Sequence, residues 1–231
     1  MKKIIAIVLA VSSLFFLTVS KTLAEVTLGF SISHGLYQAS GTETEGSGNV
    51  TSSEAAEVSS ATTMAKFTYP TIFAEYNTGM VSIGVEVIPG SVETEEVART
   101  DYNIEPGQVC TGNDGCNTSV TNKVEIEISK HITLYGLLPI MSTGAYLKAG
   151  ISRMDVETNE SLGTGSTYAD IDGVSGAHAS LGYQHDTASG FVRAEIGYSI
   201  YENMSVTSSN SHKVEADIEG GFARISIGRS F

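Results

Sequence analysis

After residue 24 this chain of 231 residues holds no apolar run long enough for a membrane-crossing helix, and helical periodicity is hard to find anywhere in it. Bases are scarce as well, with 13 Lys and Arg against 26 Asp and Glu. That imbalance argues against nucleic acid or an anionic lipid surface as a partner. Tryptophan is missing, proline is limited to 4 positions and cysteine to 2, Cys110 and Cys116. The spacing in "VCTGNDGCN" reads as a small disulfide loop in an exported protein. Zinc is the alternative, although no His lies close in sequence and no second Cys pair exists. "GNDGCN" also lacks the carboxylate spacing and closing Glu of a calcium loop, so no metal residue and no cofactor is expected.

What is present begins with export. Lys2 and Lys3 precede "IIAIVLAVSSLFFLTV", and "KTLA" closes the segment before Glu25. This is the charged, apolar and small-residue order of a secretory signal peptide over residues 1–24. A membrane anchor is the rival, but the run is shorter than the roughly 20 residues of a span. No Cys near the cut supports a lipid anchor. The expected mature domain is 25–231; it loses Lys2, Lys3 and Lys21 and keeps every acid, for a net charge of −16.

That domain alternates with a period of two. Val26, Leu28, Phe30 and Ile32 alternate with small or polar residues, as do Val81, Ile83, Val85 and Val87. The same holds for Val124, Ile126 and Ile128, for Leu147, Ala149 and Ile151, and for Ala177, Ala179, Leu181 and Tyr183. Val192, Ala194, Ile196, Tyr198 and Ile200 form another set, and Ala223, Ile225 and Ile227 the last. In "KFTYPTIFAEYN" the apolar parity changes between Phe67–Tyr69 and Ile72–Tyr76, which predicts a strand with a bulge near Pro70. The total is eight strands.

Connections alternate too. "NTG", "DTASG" and "GLLPIMSTG" are short or compact, whereas roughly 39–64, 89–120, 155–173 and 202–213 are long and polar. Brief turns on one side and long loops on the other predict an all-β, closed, antiparallel, eight-stranded transmembrane barrel with periplasmic turns and extracellular loops. Closure leaves no free edge, so every backbone polar group in the hydrocarbon is paired.

The closing strand, "GGFARISIGRSF", ends on an aromatic residue. Ala223, Ile225, Ile227 and Phe231 resemble the C-terminal signature by which outer-membrane barrels are recognised by the barrel-assembly machinery; Arg229 departs from it. With "ITLYGLLPIMSTGAYLKAGIS" as a fourth-to-fifth strand link, residues 25–231 resemble the OmpA-type or Opa-like eight-stranded barrels. The resemblance implies an outer-membrane location, a lipid and lipopolysaccharide environment, and no enzymatic activity.

With the apolar parity facing lipid, Glu75, Glu86, Glu125, Glu127 and Glu195 are expected inside with Lys123, Lys148, Arg193 and Arg224. An eight-stranded interior is just filled by side chains, so these charges are expected to pair into a plug; a narrow pore is the rival. The remaining acids gather towards the long loops: Glu43, Glu45, Glu54 and Glu57, then Glu93, Glu95, Glu96, Asp101 and Glu105. Asp155, Glu157, Glu160, Asp170, Asp172, Glu215, Asp217 and Glu219 continue the set. They read as a solvated surface, with adhesion to a basic partner as the sharper alternative. "NVT", "NTS" and "NMS" match glycosylation acceptors and read more simply as polar loop sequence. His178 and Ser180 share a strand face, as in the His-x-Ser pair of PagL-type lipid A deacylases. Leu181 replaces the Asn of that motif, and alternation turns the pair inward, so catalysis is not expected.

Overall fold

The computed structural model describes residues 25–44, 58–94, 96–102, 119–141, 143–161, 167–209 and 211–231. Residues 1–24 and both cysteines, and so the expected signal peptide and disulfide, lie outside them. Eleven strand segments follow in order: β1 (Glu25–Thr44), β2 (Val58–Asn77), β3 (Ser82–Val87), β4 (Val92–Glu93), β5 (Val97–Tyr102) and β6 (Ser119–Pro139). Then come β7 (Ala145–Ser161), β8 (Ile171–Thr187), β9 (Gly190–Tyr201), β10 (Met204–Thr207) and β11 (Lys213–Ser230). β3, β4 and β5 succeed one another along one stave and β9 and β10 along another, so the segments make eight staves.

Every neighbouring pair is antiparallel, and β1 pairs with β11 from Thr27–Ser230 to Thr44–Lys213. That last ladder closes the sheet into a barrel. Beyond it, Phe231 N–H donates to the Val26 carbonyl at 2.8 Å, which fastens the final aromatic residue to the first strand. Phe231 itself is exposed, as are Ala223, Ile225 and Ile227 on the outer face.

Alternation sorts the two faces. Leu28, Ile32, Ile72, Leu134, Leu147, Leu181, Ile196 and Ile225 point outward and are 48–65% exposed. No Asp, Glu, Lys or Arg interrupts this band between a lower rim at Arg229 and an upper rim at Lys66, Lys130 and Arg153. Such a belt cannot face water economically, and the chain is a transmembrane barrel.

The inner face is filled by aromatic rings laid over cross-strand glycines. Phe73 faces Gly29, Tyr135 faces Gly84, Tyr146 faces Gly182, Phe222 faces Gly197 and Phe191 faces Gly228. A Cβ at Gly84 would meet the Tyr135 ring at 2.3 Å, so the glycine is required by the ring rather than by the backbone.

Two expectations are corrected. The strand through Pro70 has no bulge: β1 and β2 pair without a shift, Ile32 facing Pro70. The parity change arises because Phe67 and Tyr69 point inward while Pro70, Ile72 and Tyr76 point outward. Proline is tolerated there because β3 pairs with β2 only from Ile72 to Asn77, leaving the Pro70 level with a single ladder. The strands also run well into the expected loops, covering 39–44, 58–64, 97–102 and 155–161. Their upper halves are hydroxyl-rich and cross-linked, Ser40 with Thr62 at 3.3 Å and Thr42 with Ser60 at 3.5 Å. A 20-residue strand rises roughly 66 Å along its axis, or about 50 Å of height at a 40° tilt, twice a lipid band of about 25 Å.

Leu134→Arg is expected to destabilise the barrel by about 2–4 kcal/mol in lipid vesicles, while Glu127→Arg, above the band, stays within about 0.5 kcal/mol. Denaturant titration of the refolded protein measures both. Gly84→Val, which forces the Tyr135 ring to move, is expected to cost about 1–3 kcal/mol by the same titration.

Candidate functional site

The lumen is the one place where this chain concentrates buried charge among its described residues. Six inward residues from five staves converge: Glu75 on β2, Glu86 on β3, Lys148 on β7, Arg193 and Glu195 on β9, and Arg224 on β11. Three acids meet three bases, and every one is at most 7% exposed.

Their geometry is that of interlocked pairs. Arg193 donates to both oxygens of Glu75, Nη1 to Oε1 at 2.6 Å and Nη2 to Oε2 at 2.8 Å. Its Nε donates to Gln184 Oε1 at 2.7 Å, and the Tyr135 hydroxyl adds a bond to Glu75 at 2.8 Å. Glu86 Oε2 accepts from Arg224 Nη1 at 2.7 Å and from Lys148 Nζ at 3.2 Å. Glu195 accepts from the Tyr146 hydroxyl at 3.0 Å and lies 3.7 Å from Arg224 and 3.9 Å from Lys148. Arg224 Nε also donates to Ser33 Oγ at 2.7 Å. The Lys148 ammonium stands 3.9 Å from the Tyr135 ring centre, and the Arg193 guanidinium 4.3 Å from that of Phe191. Charges removed from water cost several kcal/mol each, and bidentate and multiply bonded partners are what offset that cost.

Lys123, Glu125 and Glu127 do not join this group, contrary to expectation. Lys123 pairs with Glu96 at 2.9 Å on an exposed edge. Between Ser129 and Ile132 the β6–β7 register shifts, with Lys130 at φ 50°. The shift exchanges the faces of β6: Val124, Ile126 and Ile128 line the lumen, and Glu125 and Glu127 take the opposite parity. Lys130 Nζ donates to Asp155 at 2.8 Å above the band, and this bond, with the Gly173 N–H, holds the Asp155 carboxyl below its usual range.

The partners Tyr135, Tyr146, Gln184 and Ser33 were not anticipated. For three of them the signal was parity: Tyr146 lies two before Lys148, and Ser33 and Gln184 fall on the small-or-polar face of their strands. Tyr135 had no such signal, because the charges expected on its strand take the other face. His178 and Ser180 point inward and are 8% and 7% exposed. His178 Nε2 and Ser180 Oγ are buried without a hydrogen-bond partner, so the two do not bond each other.

Above the charges lies a second, apolar layer. Met154, Val156, Val174 and Met204 form a buried cluster with Ile126, Ile128, Ile171 and Tyr201 packed against it. A cavity of about 480 Å³ occupies this upper lumen. Tyr37, Tyr69 and Tyr201 line it, with the Tyr37 and Tyr69 hydroxyls 3.5 Å apart.

No protein-family model matches the chain, and no curated protein matches it. Among solved structures, the outer membrane protease OmpT from Escherichia coli is 11% identical, with 89% of this chain and 97% of that one covered and a TM-score of 0.41. The outer membrane protein OprG from Pseudomonas aeruginosa is 12% identical, with 88% and 95% covered and a TM-score of 0.44. Neisserial surface protein A is 13% identical, with 86% and 96% covered and a TM-score of 0.37. Similarity of this grade assigns no function; the barrel stands on its own pairing.

Arg193→Ala strips the bidentate partner from a buried Glu75 and is expected to cost about 3–5 kcal/mol. A double-mutant cycle with Glu75→Ala, read by denaturant unfolding, is expected to return much of that loss.

Proposed function

We propose that the chain is a non-catalytic bacterial outer-membrane barrel of the OmpA-type or Opa-like kind, with a role in envelope structure. In this reading the segment 1–24 directs export, and Ala223, Ile225, Ile227 and Phe231 present the closing strand to the barrel-assembly machinery. Lipid and lipopolysaccharide surround the band, and the acids at the long-loop end form a solvated surface open to a basic extracellular partner.

The observation that carries the reading is the neutral charge layer spanning the lumen. Five staves contribute to it, and its shortest ion pairs are 2.6 and 2.7 Å. A hydrated pore needs polar groups that face water, whereas these face one another, which weighs against the diffusion-channel alternative. Inward burial of His178 and Ser180 weighs against lipid A chemistry, because the acyl chains of that substrate lie outside the wall.

Purified full-length protein in planar bilayers is expected to give no steady large conductance. A stable open level of porin size overturns the plugged reading. Ser180→Ala is expected to leave lipid A acylation in cells unchanged by mass spectrometry, and an altered acyl pattern overturns the non-catalytic role.

A further inference from the structure

The third stave leaves its neighbour partway up. β2 and β3 pair only from Asn77–Ser82 to Ile72–Val87. Beyond that level β4 and β5 pair with β6, and among the described residues no ladder joins them to β2. Gly90, at φ 97°, turns the chain at the point of departure, while Ile88 N–H stays bonded to the His131 carbonyl of β6 at 3.2 Å. Among the described residues, the wall is therefore open between the upper half of β2 and the third stave.

The apolar cavity is continuous with this gap. Its lining includes Met64 and Lys66 on one edge and Val92 and Thr94 on the other. Lys66 pairs with Leu36, the last large apolar residue of the outward band on β1, so the opening stands at the rim of the lipid-facing belt. Below, the charge layer closes the lumen, so what enters here is held and not passed on.

We propose that the upper lumen binds a single-chain amphiphile with an anionic head, a fatty acid being the simplest, admitted from the membrane through the gap between β2 and the third stave. The inner wall of Phe67, Ile126, Ile128 and Met154 suits a hydrocarbon chain. Lys66 is the only Lys or Arg of β1 and β2, is exposed, and makes no ion pair among the described residues. It sits where a headgroup would lie when the chain is inside. Deeper in, His131 Nδ1 is buried without a hydrogen-bond partner, a second polar group at the cavity wall. The inference rests on the membrane placement of the barrel but not on its non-catalytic role.

The absence of Trp makes the test clean. Full-length Tyr201→Trp places one indole in the cavity, Ile126→Trp is the second variant should the first fail to fold, and Leu134→Trp reports the lipid face. In nanodiscs, 9,10-dibromostearic acid is expected to quench the cavity indole saturably with loss of most of its emission, and the Leu134→Trp indole only in proportion to the acid added. Lys66→Glu is expected to raise the half-saturating concentration up to about fivefold. Cavity indoles left bright while the Leu134→Trp indole dims overturn the proposal, and an unmoved midpoint in Lys66→Glu overturns the anionic head. A Leu134→Trp indole beyond reach of the brominated acid overturns the membrane placement itself, a distinct failure.

Discussion

Pairing of β1 with β11 is the constraint from which the rest follows. In hydrocarbon an unpaired amide costs several kcal/mol, so an open sheet cannot persist there, and only a ladder that returns to its own first strand removes both edges. Closure then fixes an inside of limited volume. Residues whose alternation puts them on that face must fit together or the ring does not close.

Two devices meet that demand in this chain, at different heights. Near the turns, aromatic rings occupy the space that cross-strand glycines leave empty, and guanidinium and ammonium groups stack on those rings while bonding carboxylates. Each base serves more than one neighbour: Arg224 touches Glu86, Glu195 and Ser33, and Arg193 touches Glu75 and Gln184. Higher up, Met and Ile side chains take over and the packing loosens into a cavity. The change coincides with the β6 irregularity at Lys130, which carries apolar side chains inward and acidic ones outward above it.

The barrel was legible from period-two alternation because every stave carries a stretch in which apolar and small residues trade places, such as Leu147 to Ser152. Glu75, Glu86, Lys148, Arg193, Glu195 and Arg224 were legible as inward charges for the same reason, since each lies between outward apolar neighbours on an unbroken run. Lys123, Glu125 and Glu127 were not, because one irregular step downstream of them inverts the rule and leaves no mark in composition. The full strand lengths were hidden as well: Ser40, Thr42, Ser60 and Thr62 look like loop in a hydropathy pattern, although paired hydroxyls extend a ladder as well as apolar side chains do. Ion-pair partners across the lumen depend on which staves face each other, and that is a property of the closed ring rather than of any local stretch.

The tall hydroxyl-rich hairpins carry an electrostatic consequence. Strands of this length rise about 25 Å above the apolar band, some three times the screening distance of about 8 Å in physiological salt. Carboxylates near their tips, Glu43 among them, therefore neither repel nor are neutralised by the headgroup charges beneath. Whatever approaches from the medium meets their full negative potential before it senses the lipid.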